Sequence, residues 1–155
     1  MKAMIFAAGL GTRLKPLTDT MPKALVPVGG TPLLKILLDK LVLSGYTDVV
    51  INVHHFGQQI IDYIGNNSFD IHISISDERD KLLDTGGGIK TASHFFTGDE
   101  PFLVHNVDIL SNVDLLHFHE THLAYDATLL VSRRETSRYL LFNEENRLVG
   151  WTNVQ

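Results

Sequence analysis

The chain has 155 residues, of which 44% are hydrophobic and 20% charged, proportions typical of one globular domain with its own core. It contains no cysteine, which excludes a disulfide framework and a thiolate zinc site, and no apolar run approaches the ~18 residues of a membrane span, so we expect a cytoplasmic protein. The formal net charge of −5 argues against nucleic acid as the main partner.

Apolar runs and helical periodicities alternate along the chain, so the sequence predicts alternating strands and helices. In chain order the predicted elements are the strand Lys2–Phe6, a helix opened by Thr31 and Pro32 and ended by Gly45, the strand Asp48–Val53, the helix Phe56–Gly65, the strand Ile71–Ile75, the helix Thr85–Phe96 entered through three glycines, the strand Pro101–Val107, the helix Val113–Leu123, and three closing strands, Ala127–Ser132, Tyr139–Asn143 and Arg147–Trp151. This alternation predicts an α/β fold, a Rossmann-like three-layer α/β/α sandwich with a mostly parallel sheet, in a single domain over residues 1–155.

The charge is unevenly distributed. Six of the 13 Lys and Arg residues lie within residues 1–40, together with only two of the 18 Asp and Glu residues. This basic segment contains the glycine-bearing stretch Ala7–Gly30, and the rest of the chain is acidic. Such a pattern favours a small anionic ligand bound locally over a polyanion bound across a whole face.

Three features are predicted at the carboxyl ends of strands: the loop after the first strand, the Asp84–Gly88 loop, and Asp108. Ligands of open parallel sheets bind beyond these ends. We therefore expect the three features, which are distant in sequence, to converge on one rim of the sheet.

The loop after the first strand, Gly9–Arg13, departs from two known phosphate-binding patterns. It is not a Rossmann dinucleotide turn, because Leu14 stands where the third glycine is needed, and it is not a P-loop, because no GK[ST] follows. Taken alone, it is either a tight strand-to-helix turn or a loop whose bare N–H groups wrap a phosphate. Arg13 and Lys23 favour the phosphate, since a guanidinium binds two phosphate oxygens and an ammonium adds a point charge.

The stretch AAGLGTRLKPLT, followed by MPKALVPVGGTPLL, resembles the N-terminal signature of the sugar-1-phosphate nucleotidylyltransferases. SDERDKLLDTGGGIKTA is similar to the second nucleotide-contacting loop of that family, in a form most similar to the N-acetylmuramate-1-phosphate uridylyltransferases. FLVHNVDIL resembles the strand that ends in the family's metal-binding Asp, with Val107 in place of the usual glycine. The resemblance implies the nucleotide-diphospho-sugar transferase type of α/β fold.

The resemblance also implies an enzyme in which a sugar 1-phosphate attacks the α-phosphorus of a nucleoside triphosphate, with UTP favoured, and pyrophosphate leaves. Because the nucleophile is a phosphate oxygen that is already ionised, positioning and charge neutralisation do most of the work. The implied catalytic residues are Arg13 and Lys23, and Asp108 would hold the cofactor Mg²⁺. The implied nucleotide-binding residues are Ala8, Gly9, Gly11, Thr12, Glu78, Gly86, Gly87 and Gly88.

Members of this family usually continue beyond the length of this chain, and their later half supplies a second metal-binding Asp and most sugar contacts. From the resemblance we therefore expect the nucleotide-binding portion of the domain, without the usual C-terminal portion. We expect it to bind nucleotide, to catalyse weakly or not at all, and to self-associate through apolar surface. Two other functions stay open: the same chemistry on another acceptor, such as phosphocholine with CTP, and a non-catalytic nucleotide-binding module.

Overall fold

The computed structural model describes residues 1–80, 83–122 and 126–154. Contacts divide the chain into two compact units, residues 1–123 and 124–155. The elements of the first unit are, in chain order, β1 (Lys2–Phe6), β2 (Pro27–Val28), β3 (Thr31–Pro32), α1 (Leu33–Leu43), β4 (Asp48–Val53), α2 (Gly57–Gly65), β5 (His72–Asp77), α3 (Asp84–Ala92), β6 (Phe102–Asn106) and α4 (Leu115–Glu120). The second unit contains β7 (Arg138–Phe142) and β8 (Leu148–Asn153). Within these described ranges, no helix has the length and apolar character needed to cross a membrane.

Four strands of the first unit form one parallel sheet in the order β5–β4–β1–β6. At its centre, β1 pairs in register with Asp48–Asn52 of β4 on one side and with Phe102–Asn106 of β6 on the other. Short apolar runs such as β1 and β4 suit this position, because helices cover both faces of a parallel sheet. The predicted parallel sheet is therefore confirmed, although its third strand ends at Asp77 and not at Ile75.

Helices lie on both faces of the sheet because side chains alternate along each strand. On one face, Ile5 belongs to a buried cluster with residues of α1, α2 and α4. On the other face, Met4 and Val50 cluster with Ala92 of α3. Full burial of an aliphatic side chain contributes about 1.5–3 kcal/mol, so these clusters hold the helices on the sheet. The three-layer α/β/α arrangement is confirmed.

Helix α1 begins later than the sequence predicted. Thr31 and Pro32 form β3, which pairs antiparallel with β2, so Pro32 precedes the helix instead of opening its first turn. The N–H of Leu33 donates to the carbonyl of Val26 at 3.1 Å, which ties the helix start to this two-stranded ribbon. The predicted stop is confirmed, since Gly45 follows the helix with a φ of 83°.

Helix α3 begins at Asp84, one residue before the predicted start at Thr85, so the predicted helix is confirmed but the predicted Asp84–Gly88 loop is wrong. Gly86, Gly87 and Gly88 all lie inside α3. Glycine in a helix interior costs about 0.5–1 kcal/mol relative to alanine. However, a Cβ at Gly88 would lie 3.0 Å from Oε1 of Glu78. Close packing on the sheet therefore favours glycine there and overrides helix propensity.

Helix α4 is shorter than the predicted helix Val113–Leu123. The Asp114 carboxylate accepts a hydrogen bond from the N–H of His117 at 2.9 Å, and this cap sets the helix start at Leu115. The helix ends at Glu120. The predicted end at Leu123 lies outside the described residues.

The second unit is an antiparallel hairpin of β7 and β8, with Asn146 at a φ of 58° in its turn. The last two predicted strands are therefore confirmed. The predicted strand Ala127–Ser132 is wrong, because these residues form no strand. In the described part of this unit β7 pairs with β8 alone, so the apolar run has no neighbouring strand to complete its backbone hydrogen bonds.

Candidate active site

The order of the strands reverses at β1. The chain passes from β1 to β4 and β5 on one side, and then returns to place β6 on the other. Parallel sheets form a ligand-binding crevice at such a point, beyond the carboxyl ends of the strands. The crevice here lies between β1 and β6, so the glycine loop after Phe6 and the carboxylate of Asp108 after Asn106 both adjoin it.

The loop after β1 combines one anchored glycine with one open glycine. Gly11 has a φ of 67°, and its carbonyl accepts hydrogen bonds from the Thr18 hydroxyl at 2.8 Å and from the N–H of Leu14 at 2.9 Å. A Cβ at Gly11 would lie 2.8 Å from Cγ2 of Thr18, so a side chain does not fit. At Gly9, no described atom other than those of Gly9 and its two chain neighbours lies within 4 Å of the Cβ position. The backbone at Gly9 therefore faces open space, as a phosphate-binding loop requires.

Thr12 and Arg13 follow directly, in a short 3-10 helix that ends at Leu14, and both are exposed. Across the ranges that the structure describes, no ion pair joins the Arg13 guanidinium to a carboxylate. A guanidinium presents several N–H donors in a plane that matches two phosphate oxygens. The Arg13 guanidinium, exposed and next to the glycine loop, is therefore accessible to an anionic ligand.

Lys23 forms an ion pair with Asp108, and this contact joins the segment before β2 to the end of β6. Lys23 begins a 3-10 helix directly after Pro22, whose side chain is fully buried and anchors the segment. The Lys23 side chain is 18% exposed and that of Asp108 33%, so both are shielded in part but accessible. A Cβ at Gly11 would lie 3.3 Å from Cβ of Lys23, so the glycine loop packs against the base of the Lys23 side chain.

Asn52 is a functional candidate that the sequence analysis missed. It lies in β4, is 2% exposed, and accepts hydrogen bonds at Oδ1 from the N–H groups of Ala7 at 2.8 Å and Ala8 at 3.3 Å. Its Nδ2 donates to Oε1 of Glu78 at 3.0 Å. The available signal was an amide within an apolar strand, DVVINV, because a buried amide requires hydrogen-bond partners.

Glu78 and the glycines of α3 form a second group of contacting residues. Glu78 is 3% exposed, and a Cβ at Gly88 would lie 3.1 Å from Nδ2 of Asn52. At Gly86, no described atom outside its chain neighbours and the surrounding backbone of α3 lies within 4 Å of the Cβ position. The first turn of α3 therefore presents bare backbone, while the next turn packs on the Asn52–Glu78 pair. Ala8 joins this group through Asn52.

The Asp108 carboxylate is suited to bind a metal ion whose other ligands are phosphate oxygens and water. Among the described residues there is no group of three or more His, Asp or Glu side chains that could hold a metal. Mg²⁺ at nucleotide sites is usually bound by one or two carboxylates together with phosphate oxygens and water. Asp108, partly exposed at the crevice, meets that requirement.

Comparison with known proteins identifies the family. The family model described as nucleotidyl transferase matches residues 2–140. The chain belongs to this nucleotidyl transferase family. The match begins at β1 and includes every site residue predicted from the sequence.

Relatives of known activity in this family transfer different nucleotides. N-acetylmuramate alpha-1-phosphate uridylyltransferase of Neisseria meningitidis serogroup B is 46% identical over 74% of this chain and 49% of that protein. The protein of the same name from Caulobacter vibrioides is 44% identical over 68% of this chain and 45% of that protein. A mannose-1-phosphate guanyltransferase of Gibberella zeae is 35% identical over 90% of this chain and 40% of that protein. The chain spans about half the length, or less, of these relatives.

Solved structures agree with the fold. HddC from Yersinia pseudotuberculosis, in complex with GMP-PN, is 28% identical with a TM-score of 0.78, over 99% of this chain and 69% of that chain. CTP:phosphocholine cytidylyltransferase from Streptococcus pneumoniae is 30% identical with a TM-score of 0.55, over 69% of this chain and 44% of that chain. The predicted nucleotide-diphospho-sugar transferase fold is therefore confirmed.

Proposed function

We propose that the chain provides the nucleotide site of an enzyme that transfers a uridylyl group from UTP to a sugar 1-phosphate. The products are a nucleotide sugar and pyrophosphate. The observation that carries this proposal is the Lys23–Asp108 ion pair at the crevice, formed by a lysine whose Cβ lies against Gly11 of the glycine loop. A triphosphate with Mg²⁺ requires positive charge, a carboxylate for the metal and N–H donors. The Lys23 ammonium, the Asp108 carboxylate and the backbone of the glycine loop can provide them. The 46% identity to a uridylyltransferase supports UTP and N-acetylmuramate 1-phosphate as the first pair to test.

In the proposed step, an oxygen of the sugar 1-phosphate forms a bond to the α-phosphorus. The bond from the α-phosphorus to the oxygen that bridges to the β-phosphate breaks, and pyrophosphate leaves with the electron pair. Backbone N–H groups of Gly9, Gly11 and Thr12 hold the phosphates, and Arg13 stabilises the leaving pyrophosphate. Lys23 neutralises the charge that builds on the α-phosphate. No general base is required, because the attacking oxygen is already ionised.

Asp108 would hold Mg²⁺ in this site, and the bound ion would supply positive charge to the triphosphate oxygens. In the ligand-free chain the ion pair with Lys23 keeps this carboxylate at the crevice. When nucleotide binds, we expect the Lys23 ammonium to turn from Asp108 to the α-phosphate.

We assign the base and ribose to the segment beside α3. The open space at Gly86 supports this assignment. Contacts of Ala8, Gly87 and Gly88 with the nucleotide stay predictions, since the N–H of Ala8 already donates to Asn52 and Gly88 is buried against Glu78. A direct contact of Glu78 with the base stays a prediction. Glu78 is 3% exposed, and its Oε1 lies against Gly88 of α3.

A second candidate keeps the chemistry and changes the substrates. It is favoured by the likeness to the phosphocholine cytidylyltransferase structure and to the mannose-1-phosphate guanyltransferases. A third candidate, a non-catalytic nucleotide-binding module, stays open. We also propose that both units belong to one domain, since the family match extends from residue 2 to residue 140. Self-association stays a prediction.

Pyrophosphate release in the presence of Mg²⁺ separates these candidates. The substrate pairs are N-acetylmuramate 1-phosphate with UTP, mannose 1-phosphate with GTP, and phosphocholine with CTP. Release from the first pair that is lost in Arg13→Ala but kept in Lys15→Ala supports the first proposal, because Lys15 is engaged with Asp19 at the surface. Release from another pair alone favours the second candidate. Nucleotide binding without release from any pair favours the third.

A further inference from the structure

The buried side chain of Asn52 connects the start of the glycine loop to Glu78 and helix α3. Its Oδ1 accepts hydrogen bonds from the N–H groups of Ala7 and Ala8, which precede the glycine loop. Its Nδ2 donates to Glu78, over which Gly88 of α3 packs. Being 2% exposed, Asn52 reaches a ligand only through these neighbours.

We propose that Asn52 is a positioning residue, which fixes the start of the glycine loop and couples it to Glu78 and α3. The proposal rests on the proposed function, since it concerns the same nucleotide site. Only two soft dihedral angles per residue separate Ala8 from Gly9, so anchoring the N–H of Ala8 restricts the direction in which the Gly9 N–H points. Phosphate binding depends on that direction.

Of the side chains of this size, an amide alone satisfies both sides of the contact. Aspartate at position 52 would accept from Ala7 and Ala8 but would present a second acceptor to Glu78, with no hydrogen between the two oxygens. Leucine would leave both N–H groups buried without an acceptor. Oε2 of Glu78 is itself buried without a hydrogen-bond partner in the described ranges, so the bond from Asn52 is an important one for this carboxyl group.

Ser76 of β5 provides a matched control. It pairs in register with Asn52 on the neighbouring strand and is 3% exposed. Its hydroxyl has no hydrogen-bond partner among the described residues, so its removal breaks no contact of the loop. Leu38 of α1, 1% exposed in the core cluster that includes Ile5, provides a control for lost stability alone.

The test compares Asn52→Asp in the wild-type chain with the same substitution in a Glu78→Gln chain. Glutamine at position 78 can donate to aspartate at position 52, so the double variant restores the hydrogen bond with donor and acceptor exchanged. The readouts are UTP affinity by calorimetry with Mg²⁺ and hydrogen exchange of residues 7–13 in the nucleotide-free protein. Ser76→Ala and Leu38→Ala are measured alongside.

We expect Asn52→Asp to weaken UTP binding about tenfold in the wild-type chain, the equivalent of one hydrogen bond to a buried group, and much less in the Glu78→Gln chain. The rate of hydrogen exchange in residues 7–13 rises in Asn52→Asp and returns to the level of the Glu78→Gln chain in the double variant. Both controls bind UTP as the wild type does. An equal loss in both backgrounds, or the same loss in Leu38→Ala, overturns the proposal.

Two further outcomes are distinguishable. If the wild type binds no nucleotide, the proposed function fails, and hydrogen exchange still decides the positioning role: unchanged exchange of residues 7–13 in Asn52→Asp overturns it. If Asn52→Asp does not fold, the double variant decides. Its folding and binding of UTP support the proposal, and its folding without UTP binding contradicts it.

Discussion

Lys23 and Asp108, which lie far apart in the sequence, form an ion pair beyond the carboxyl end of β6, and Cβ of Lys23 lies against Gly11 of the glycine loop. In the ligand-free chain each charge therefore satisfies the other. A triphosphate with Mg²⁺ offers both a better partner, since it brings anionic oxygens for the ammonium and a cation for the carboxylate. The pair holds the two groups ready at the point where the proposed reaction needs them.

Asp108→Asn is expected to remove the effect of Mg²⁺ on nucleotide binding. An amide is a poor ligand for Mg²⁺, but it leaves Lys23 unpaired and free to meet the phosphates. UTP titrations with and without Mg²⁺ should show that the wild type gains affinity from the metal and that the variant does not. Asp99→Asn, which removes the same charge from an exposed position, is the control. An undiminished Mg²⁺ effect in Asp108→Asn would contradict the assignment.

Alanine at Gly11 and at Gly9 should separate stability from binding. Gly11→Ala is expected to cost about 1–2 kcal/mol for the left-handed backbone and about 1–3 kcal/mol for crowding against Thr18. Gly9→Ala should leave the free energy of unfolding unchanged and weaken UTP binding, because its Cβ enters the space that a phosphate would use. Urea denaturation and calorimetry measure the two effects. Normal UTP affinity in Gly9→Ala would argue against the proposed loop.

The sequence predicted that the glycine loop, the Asp84–Gly88 segment and Asp108 converge, because strand ends in a parallel sheet meet at one edge. The ion pair of Lys23 with Asp108 was not part of that prediction. The sequence could not show that Asn52 holds the loop, because its hydrogen-bond partners lie on other elements. The predicted Asp84–Gly88 loop was wrong for the same reason: the packing of Gly88 on Glu78 is a tertiary contact that outweighs local propensity. The strand Ala127–Ser132 failed because periodicity alone does not supply a neighbouring strand.

The glycines of α3 allow a direct comparison of helix propensity with packing. Gly86→Ala should raise the free energy of unfolding by about 0.5–1 kcal/mol, since its Cβ would enter open space inside a helix. Gly88→Ala should be less stable than Gly86→Ala by about 1–3 kcal/mol, because its Cβ crowds Glu78, Asn52 and Phe6. Urea denaturation of both variants provides the measurement. Equal stabilities would mean that the side chains next to Gly88 accommodate the added Cβ with no loss of stability.

His105 should make the protein less stable at acid pH. Burial lowers the pKa of His105 below its usual 6.5, and Lys40 acts in the same direction, against the hydrogen bond with the Asn106 carbonyl and the charge of Asp108. The unfolded chain therefore binds a proton that the native chain resists, and stability falls as the pH drops below about 6.5. His105→Gln should flatten this slope in urea denaturation across that range, whereas His94→Gln, at an exposed ring, serves as control. An unchanged slope in His105→Gln would rule out this contribution.

The most direct test of the account is calorimetric titration of the chain with UTP, CTP, GTP, ATP and dTTP, each with Mg²⁺, beside Lys23→Gln and Lys15→Gln. We predict selective binding of UTP that weakens about ten- to hundredfold in Lys23→Gln, the equivalent of one charge-assisted hydrogen bond, and is unchanged in Lys15→Gln. Binding of no nucleotide, or binding that both variants retain in full, would contradict a triphosphate site at the Lys23–Asp108 pair.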